Sequence, residues 1–323
     1  MLRRAVLLLV IAALTLGSVG RAAAASLPAP LAQLNNDVRK LAARLPASNA
    51  LEILDLSTGY RIGFNAGASM PAASTIKVPV MVTVFRALAD GQFDLEHRVT
   101  LLARDKDWGS GELCDAPVGS TYSVSLLLEK MIGISDNTAT NMLIRLVGLH
   151  AINDTMLQLG LEHTRLSDDV RTEGWSIRNH LRTSPHDLVH LLAMMARRQL
   201  IDEWSSNEMV TILEGNEFNS LLPASIPEDV TVAHKTGSLY DTLNDAGIVY
   251  ADNGPYVIAI MTTGLPSLGL GRTFIHAVSR LTYRDEQRLA QWRDANGLLP
   301  FAFGPGVKLD ASPDYSYWST GDN

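Results

Sequence analysis

The sequence predicts an α/β (α+β) fold: a five-stranded antiparallel sheet covered by N- and C-terminal helices, with an all-helical lobe beside it. Three observations lead there. β-like runs occur near the N-terminus and return only in the last third of the chain. Between them, residues 74–214 carry mostly helical periodicity. Amphipathic helices flank the strand runs at both ends. Strands so far apart in sequence share one sheet only if the helical segment between them loops out as a separate lobe.

Leu31, Leu34, Val38, Leu41 and Leu45 recur at helical spacing and give the first helix. Residues 50–55 and 60–65 are β-like on either side of Ser57-Thr58-Gly59, which reads as a hairpin. Within the helical stretch, Val124, Leu127, Leu128, Met131 and Ile132 form one stripe, and Ala139, Met142, Leu143 and Leu146 another. Residues 133–137 form the turn between them. Strand-like runs follow at 231–234, 246–250 and 256–263, then a helix at about 273–290. The cleft between the two lobes is the expected place for a site.

Composition narrows the function. The 323 residues are 46% hydrophobic and 19% charged, with a net charge of −7. Three arginines lie in the first 25 residues, and without them the charge is −10. An acidic chain with six lysines is a poor nucleic-acid binder. The single cysteine, Cys114, excludes an internal disulfide, a zinc ribbon or an iron–sulfur cluster built within one chain. Residues 1–25 read as an export signal. Arg3 and Arg4 form a basic start, residues 5–16 an apolar run too short to span a bilayer, and Ala23-Ala24-Ala25 a small-residue cleavage site before Ser26. No later run reaches about 18 apolar residues, so the mature chain is expected to lack a membrane span and to work in a periplasm or outside the cell. Ser26 is the expected mature start.

Three short motifs carry chemistry. Ser74-Thr75-Ile76-Lys77 places a serine and a lysine three apart at the opening of an apolar helix, where they share a face. Such a serine is a nucleophile once its proton is removed, and Lys77 does this if burial or a second cation lowers its pKa. Ser135-Asp136-Asn137 lies in the interhelical turn. Ser135 is placed to relay a proton and Asn137 to bond a substrate amide, although the same residue types also serve as helix caps. Lys235-Thr236-Gly237 ends a β-like run. There an edge aligns an extended substrate, Lys235 and Thr236 offer donors to a carboxylate, and Gly237 allows close approach. His186 and His190, with His180 nearby, have the spacing of a metal pair. Without a glutamate beside the first histidine they read as surface residues, so no metal or cofactor is expected.

The three motifs in this order resemble the signature set of class A β-lactamases and penicillin-binding proteins. The resemblance runs from about Leu34 to Tyr283. It includes Ser110-Gly111, Thr138-Ala139-Thr140-Asn141 and Asn244-Asp245-Ala246. It implies an acyl-enzyme mechanism with Ser74 as nucleophile, Lys77 as base or relay, and Ser135 as proton donor to the departing nitrogen. The N–H groups of Ser74 and Ser238 would form the oxyanion hole. Lys235, Thr236 and Ser238 would hold a substrate carboxylate. The catalytic domain then covers residues 26–290, with the helical lobe of about 74–214 inserted in the sheet lobe. Residues 291–323 form a C-terminal extension of unknown role, and its tail Gly304–Asn323 gives no readable periodicity. A monomer acting on a small β-lactam or a D-alanyl peptide is expected.

One part of the family pattern is missing. The family's deacylating glutamate stands in Glu-x-x-x-Asn on a loop between the second and third motifs. Here Thr164-Arg165-Leu166 and Thr183-Ser184-Pro185 match the loop's ends, but the segment from Ser167 to Trp175 lacks that motif. Counting from Ser135 puts Arg171 near the glutamate's place, with Asp169 and Glu173 two residues to either side. Glu173 is therefore the candidate water-activating base, and slow deacylation is expected. Three functions follow: a β-lactamase, a D,D-peptidase or related hydrolase of cell-wall peptides, and a non-catalytic β-lactam sensor.

Overall fold

The computed structural model describes residues 27–171, 180–252 and 254–297. Helix α1 (Ala29–Ala42) leads into strands β1 (Ser48–Asp55) and β2 (Arg61–Phe64). The long last helix, α8 (Leu268–Ala295), follows β8 (Thr231–Leu239), β9 (Thr242–Tyr250) and β10 (Tyr256–Thr263). These five strands form one antiparallel sheet in the order β2-β1-β10-β9-β8, as the sequence predicts. The first strand of the chain pairs with the last, Ser48 opposite Thr263 and Asp55 opposite Tyr256, and this closes the lobe around the helical insertion.

The strands read as near-continuous apolar runs because both faces of the sheet are covered. Leu51 and Ile53 of β1 and Tyr256, Ile258 and Ile260 of β10 pack with Leu31, Leu34 and Val38 of α1 and Phe274, Ile275 and Val278 of α8. Alternate residues, Ala50, Leu54, Val257, Ala259 and Met261, face the other way into the larger core of the helical lobe. That lobe contains α2 (Lys77–Ala89), α3 (Val124–Gly133), α4 (Asn137–Val147), α5 (Leu149–Gln158), α6 (Pro185–Ala196) and α7 (Glu203–Glu214). The stripes seen in the sequence on α3 and α4 are buried within this core, with Leu146 half-buried at its edge. Two small sheets, β3 (Met70–Pro71) with β7 (Leu181–Thr183) and β6 (Arg165–Leu166), and β4 (Arg98–Thr100) with β5 (Thr121–Ser123), have strands too short to leave a periodic signal. Among the described residues no helix is long and apolar enough to cross a membrane. Residues 1–26, which include the proposed export signal, lie outside the described residues.

One boundary matters for the site. The sequence ends the third strand run at His234, but β8 continues to Leu239, so Lys235-Thr236-Gly237 lies inside a strand. Lysine and glycine are weak strand formers. Here residue-by-residue pairing with β9, Lys235 opposite Ala246 and Gly237 opposite Asn244, overrides propensity.

Candidate active site

The three motifs converge between the lobes. Ser74, Ser135, Asn137, Thr236 and Ser238 line one cleft of about 280 Å3. Each is brought there by a local device. Ser74 sits in a 3-10 turn, Ala73–Ile76, and α2 begins only at Lys77, three residues later than the sequence suggests. In a 3-10 turn side chains at i and i+3 eclipse, so Ser74 and Lys77 keep a shared side. Ala73 adopts φ +48°, a left-handed conformation unusual for a residue with a Cβ, and Ser135 does the same at φ +56°. Two of the five described non-glycine residues with positive φ therefore flank or form this site, where backbone strain tends to collect.

Gly237 has a different role from the one expected. A Cβ there would lie 2.9 Å from the Ala72 carbonyl oxygen and 3.1 Å from the Ser74 nitrogen. The bare face of the glycine thus admits the Ser74 turn against β8, and Gly237 does not itself line the cleft. Asn244 of β9 reinforces the junction by donating to the carbonyls of Pro71 (2.9 Å) and Ala72 (3.1 Å).

The Ser-Asp-Asn turn is both a cap and a site. Asp136 is the N-cap of α4, accepting from Ala139 N at 2.8 Å. Its other oxygen accepts from the backbone of Glu112 (2.7 Å) and Leu113 (2.9 Å), which ties the Ser110-Gly111 loop to the turn. Gly111, at φ +95°, lies so close to Asp136 that a Cβ would collide at 2.3 Å. Capping Asp136 leaves Ser135 and Asn137 to face the cleft.

Lys77 is fully buried and reaches this turn. Its Nζ lies 2.6 Å from the Ser135 carbonyl oxygen, 2.7 Å from Asn137 Oδ1 and 3.0 Å from Ser135 Oγ. Among the described residues no hydrogen bond joins it to the Ser74 hydroxyl. The two carbonyls only accept, whereas the Ser135 hydroxyl either accepts or donates. A neutral amine, with two N–H groups and one lone pair, therefore satisfies all three contacts. Burial foremost, and the nearby Lys235 charge second, push the Lys77 pKa well below the ordinary lysine value, against the pull of Asp136 and Asp107.

Asn137 is committed to Lys77. Its Oδ1 accepts from the amine and its Nδ2 donates to Asp107 Oδ1 at 2.7 Å. A carboxylate only accepts, so Asp107 fixes which end of the amide faces the lysine. The expected substrate contact of Asn137 is thus joined by an internal one that holds Lys77 in place. Asp107 itself follows a loop with no periodicity, and only its burial reveals it.

Lys235 is the second fully buried lysine. Its Nζ donates to the Thr236 carbonyl at 3.0 Å and lies 6.0 Å from the centre of the Phe218 ring, within reach of a cation–π contact. Burial lowers its pKa to about 7, although the Asp245 carboxylate opposes the shift.

The far wall of the cleft carries Val170. Asn141 of α4 clamps that residue's backbone at two points: its Oδ1 accepts from Val170 N at 2.8 Å and its Nδ2 donates to Val170 O at 2.8 Å. The count from Ser135 pointed to Arg171, but the clamp puts Val170, one residue earlier, on the wall. Arg171 turns to Asp169, with Nε 2.7 Å from Oδ1, and Asp168 lies 3.8 Å from His180. Among the described residues that line the cleft there is no carboxylate. Glu173 lies outside the described residues. His186, considered above as half of a metal pair, bonds Glu52 of β1 at 2.9 Å, and Glu52 also pairs with Arg61.

Known proteins share this architecture. PBP-A superposes with a TM-score of 0.75 at 32% identity over 81% of this chain and 100% of its own. A β-lactamase from Sphaerobacter thermophilus gives 0.74 at 29%, over 79% of this chain and 97% of its own. A variant of PBP-A is also known as an acyl-enzyme complex with penicillin G. Among curated relatives, the β-lactamase VEB-1 of Pseudomonas aeruginosa is 22% identical over 249 residues, covering 70% of this chain and 81% of that protein. The fold is therefore that of the β-lactamases and the penicillin-binding protein PBP-A. The profile of the β-lactamase enzyme family matches residues 33–285, and the chain belongs to that family.

Proposed function

We propose that this protein is an exported active-site-serine hydrolase that forms acyl-enzymes with β-lactams and releases them slowly. Ser74 Oγ adds to the lactam carbonyl carbon while its proton passes to the neutral Lys77 amine. The carbonyl oxygen takes up negative charge beside the backbone N–H groups of Ser74 and Ser238. Collapse breaks the C–N bond, and Ser135, bonded to Lys77, hands a proton to the departing nitrogen. Lys235, Thr236 and Ser238 hold the substrate carboxylate.

The observation that carries slow release is the Val170 wall. Hydrolysis of the ester needs a water activated by a base within hydrogen-bond reach. An apolar residue whose backbone is pinned by Asn141 stands on the cleft wall, while Asp169 is engaged by Arg171. The same wall favours a second reading, a D,D-peptidase that acylates on D-alanyl peptides. Export is supported by Arg3, Arg4, the apolar run after them and Ala23-Ala24-Ala25. N-terminal sequencing of exported protein should begin at Ser26; membrane-bound material retaining Met1 would contradict it.

Intact mass followed over time after mixing with a penicillin tests the main reading. A persistent adduct on Ser74, absent in Ser74→Ala, is expected. Rapid turnover with no adduct would indicate a competent deacylation base, and no adduct with no turnover would refute acylation itself.

A further inference from the structure

On the face of β8 opposite Lys235 lies a buried pair that the mechanism does not use. His234 Nδ1 is 2.9 Å from Asp245 Oδ1, and both residues are fully buried. A carboxylate only accepts, so Nδ1 carries the proton and the chemistry of the pair is decided at Nε2. Two side chains meet that nitrogen. Asn216 Nδ2 lies at 3.3 Å and Asn219 Oδ1 at 3.1 Å. The Asn216 amide cannot turn over, because its Nδ2 also donates to the His234 carbonyl (3.2 Å) and its Oδ1 accepts from Phe218 N (3.2 Å). Nε2 therefore faces a fixed donor on one side and a carbonyl acceptor on the other.

The two partners suit opposite protonation states. A neutral imidazole has a lone pair at Nε2 and accepts from Asn216. A charged one has a hydrogen there, which opposes the Asn216 amide and donates to Asn219. Asn216 and Asn219 bracket Phe218, which lines the cleft and lies over Lys235. The other oxygen of Asp245 holds the end of the same loop through Leu222 N at 2.9 Å.

We propose that His234 is a positioning residue whose proton decides whether Asn219 joins Asn216 in anchoring the Phe218 loop, and so sets how Phe218 covers the Lys235 end of the cleft. The kinetic consequence rests on the acylation reading given above; the structural switch does not. Within the dyad Asp245 on β9 is the charged group bonded to His234, and its carboxylate also acts on Lys235, the next residue of β8. On α8, His276 bonds the Ser220 carbonyl of the same loop at 2.9 Å and is the competing imidazole.

The test is a pH titration of the isotope-labelled mature protein, without substrate, by NMR from pH 5 to 9. The backbone amides of Phe218 and Asn219 are expected to shift with the midpoint of the His234 ring nitrogens, and to keep doing so in His276→Gln. In Asn219→Ala, a change on the exposed side of the loop, the His234 midpoint should fall, because only the charged form loses a partner. In His234→Gln the Phe218 shift should vanish. The acylation rate constant with a penicillin should change about fivefold across the same midpoint, the size of one ordinary hydrogen bond, and lose that step in His234→Gln. Phe218 signals that ignore His234, a midpoint that disappears with His276→Gln, or an unmoved midpoint in Asn219→Ala would overturn the proposal. If His234→Gln fails to fold, the Asn219→Ala arm decides alone. Absence of any penicillin adduct would refute the acylation reading, while the NMR arm would still decide the switch.

Discussion

On the proposed slow release of the acyl-enzyme, Val170→Glu should give a turning-over hydrolase. Val170 is 3% exposed, and its backbone is held at both N and O by Asn141, so the direction of its side chain into the cleft is fixed before any substitution. A glutamate there places a carboxylate on the wall facing the acylated serine. General-base assistance contributes about 10²–10⁴-fold, so the steady rate after the burst should rise by that factor until acylation limits it. Two opposing effects can be sized. Overpacking a closed wall costs about 1–3 kcal/mol, which lowers thermal stability. Burial also raises the carboxyl pKa, so the gain should grow with pH as the group ionises. Stopped-flow hydrolysis of a chromogenic penicillin gives burst and steady rates together. The same substitution combined with Asn141→Ala should lose most of the gain, since the clamp that aims the side chain is gone. A folded Val170→Glu that acylates normally and shows an unchanged steady rate would refute the argument that the missing carboxylate limits release.

The remaining predictions concern proton placement. Lys77→Ala should slow acylation roughly 10²–10⁴-fold, measured by labelling with a fluorescent penicillin. In the wild type, acylation should fall as pH drops through the depressed Lys77 pKa, because only the neutral amine accepts the Ser74 proton. Asp107→Asn should move that acid limb to lower pH, since the Asp107 charge raises the Lys77 pKa; an unmoved limb would mean that another group sets it. Glu286 on α8 is buried, with Oε1 lacking a partner among the described residues, and burial pushes its pKa well above the ordinary value. A folded-state pKa raised in this way means the native protein binds more protons than the unfolded chain, so its stabilising effect is complete below the unfolded pKa and is lost as pH rises. Glu286→Gln should therefore raise the folding stability at pH 7, by up to about 1.4 kcal/mol for each pH unit above the ordinary glutamate pKa, and be read as a higher Tm. A lower Tm at pH 7 would show that the carboxyl makes contacts worth more than its burial penalty.

The sequence was most legible where many residues repeat one signal. The two-ended sheet and its covering helices emerge because Leu31, Leu34 and Val38, or Ile258 and Ile260, each vote for the same face. The Ser74, Ser135 and Lys235 motifs were legible as a set, because three short patterns in order are far rarer than any one. What escaped were the partners supplied by folding alone. Asp107 sits in an aperiodic loop, and its meaning arises only when Asn137 of a different helix points at it. Counting along the chain puts Arg171 near the family glutamate's place, whereas the residue lining the cleft is Val170. A loop has no fixed rise per residue, and its register is set by the Asn141 clamp rather than by spacing. In the sequence Gly237 offers room for substrate, yet in the fold the neighbour that needs the room is the turn from Ala72 to Ser74.

These escaped contacts share a logic that explains how the site keeps two lysines without water. The Lys235 charge disfavours charge on Lys77, and burial disfavours charge on both. Burial by itself works against keeping a cation there for a substrate carboxylate. The carboxylates divide the work. Asp107 and Asp136 lie on the Lys77 side but are turned to Asn137 and to backbone N–H groups, so they only temper the depression of its pKa. Asp245 acts on Lys235 from across the strand and bonds His234 rather than the lysine itself. Lys235, at about 7, therefore remains poised to hold a proton when an anionic substrate arrives, while Lys77 can give its up. Two residues of one type acquire opposite tasks because one meets the carbonyl oxygens of the Ser135 turn and the other lies under an aromatic ring at the mouth of the cleft.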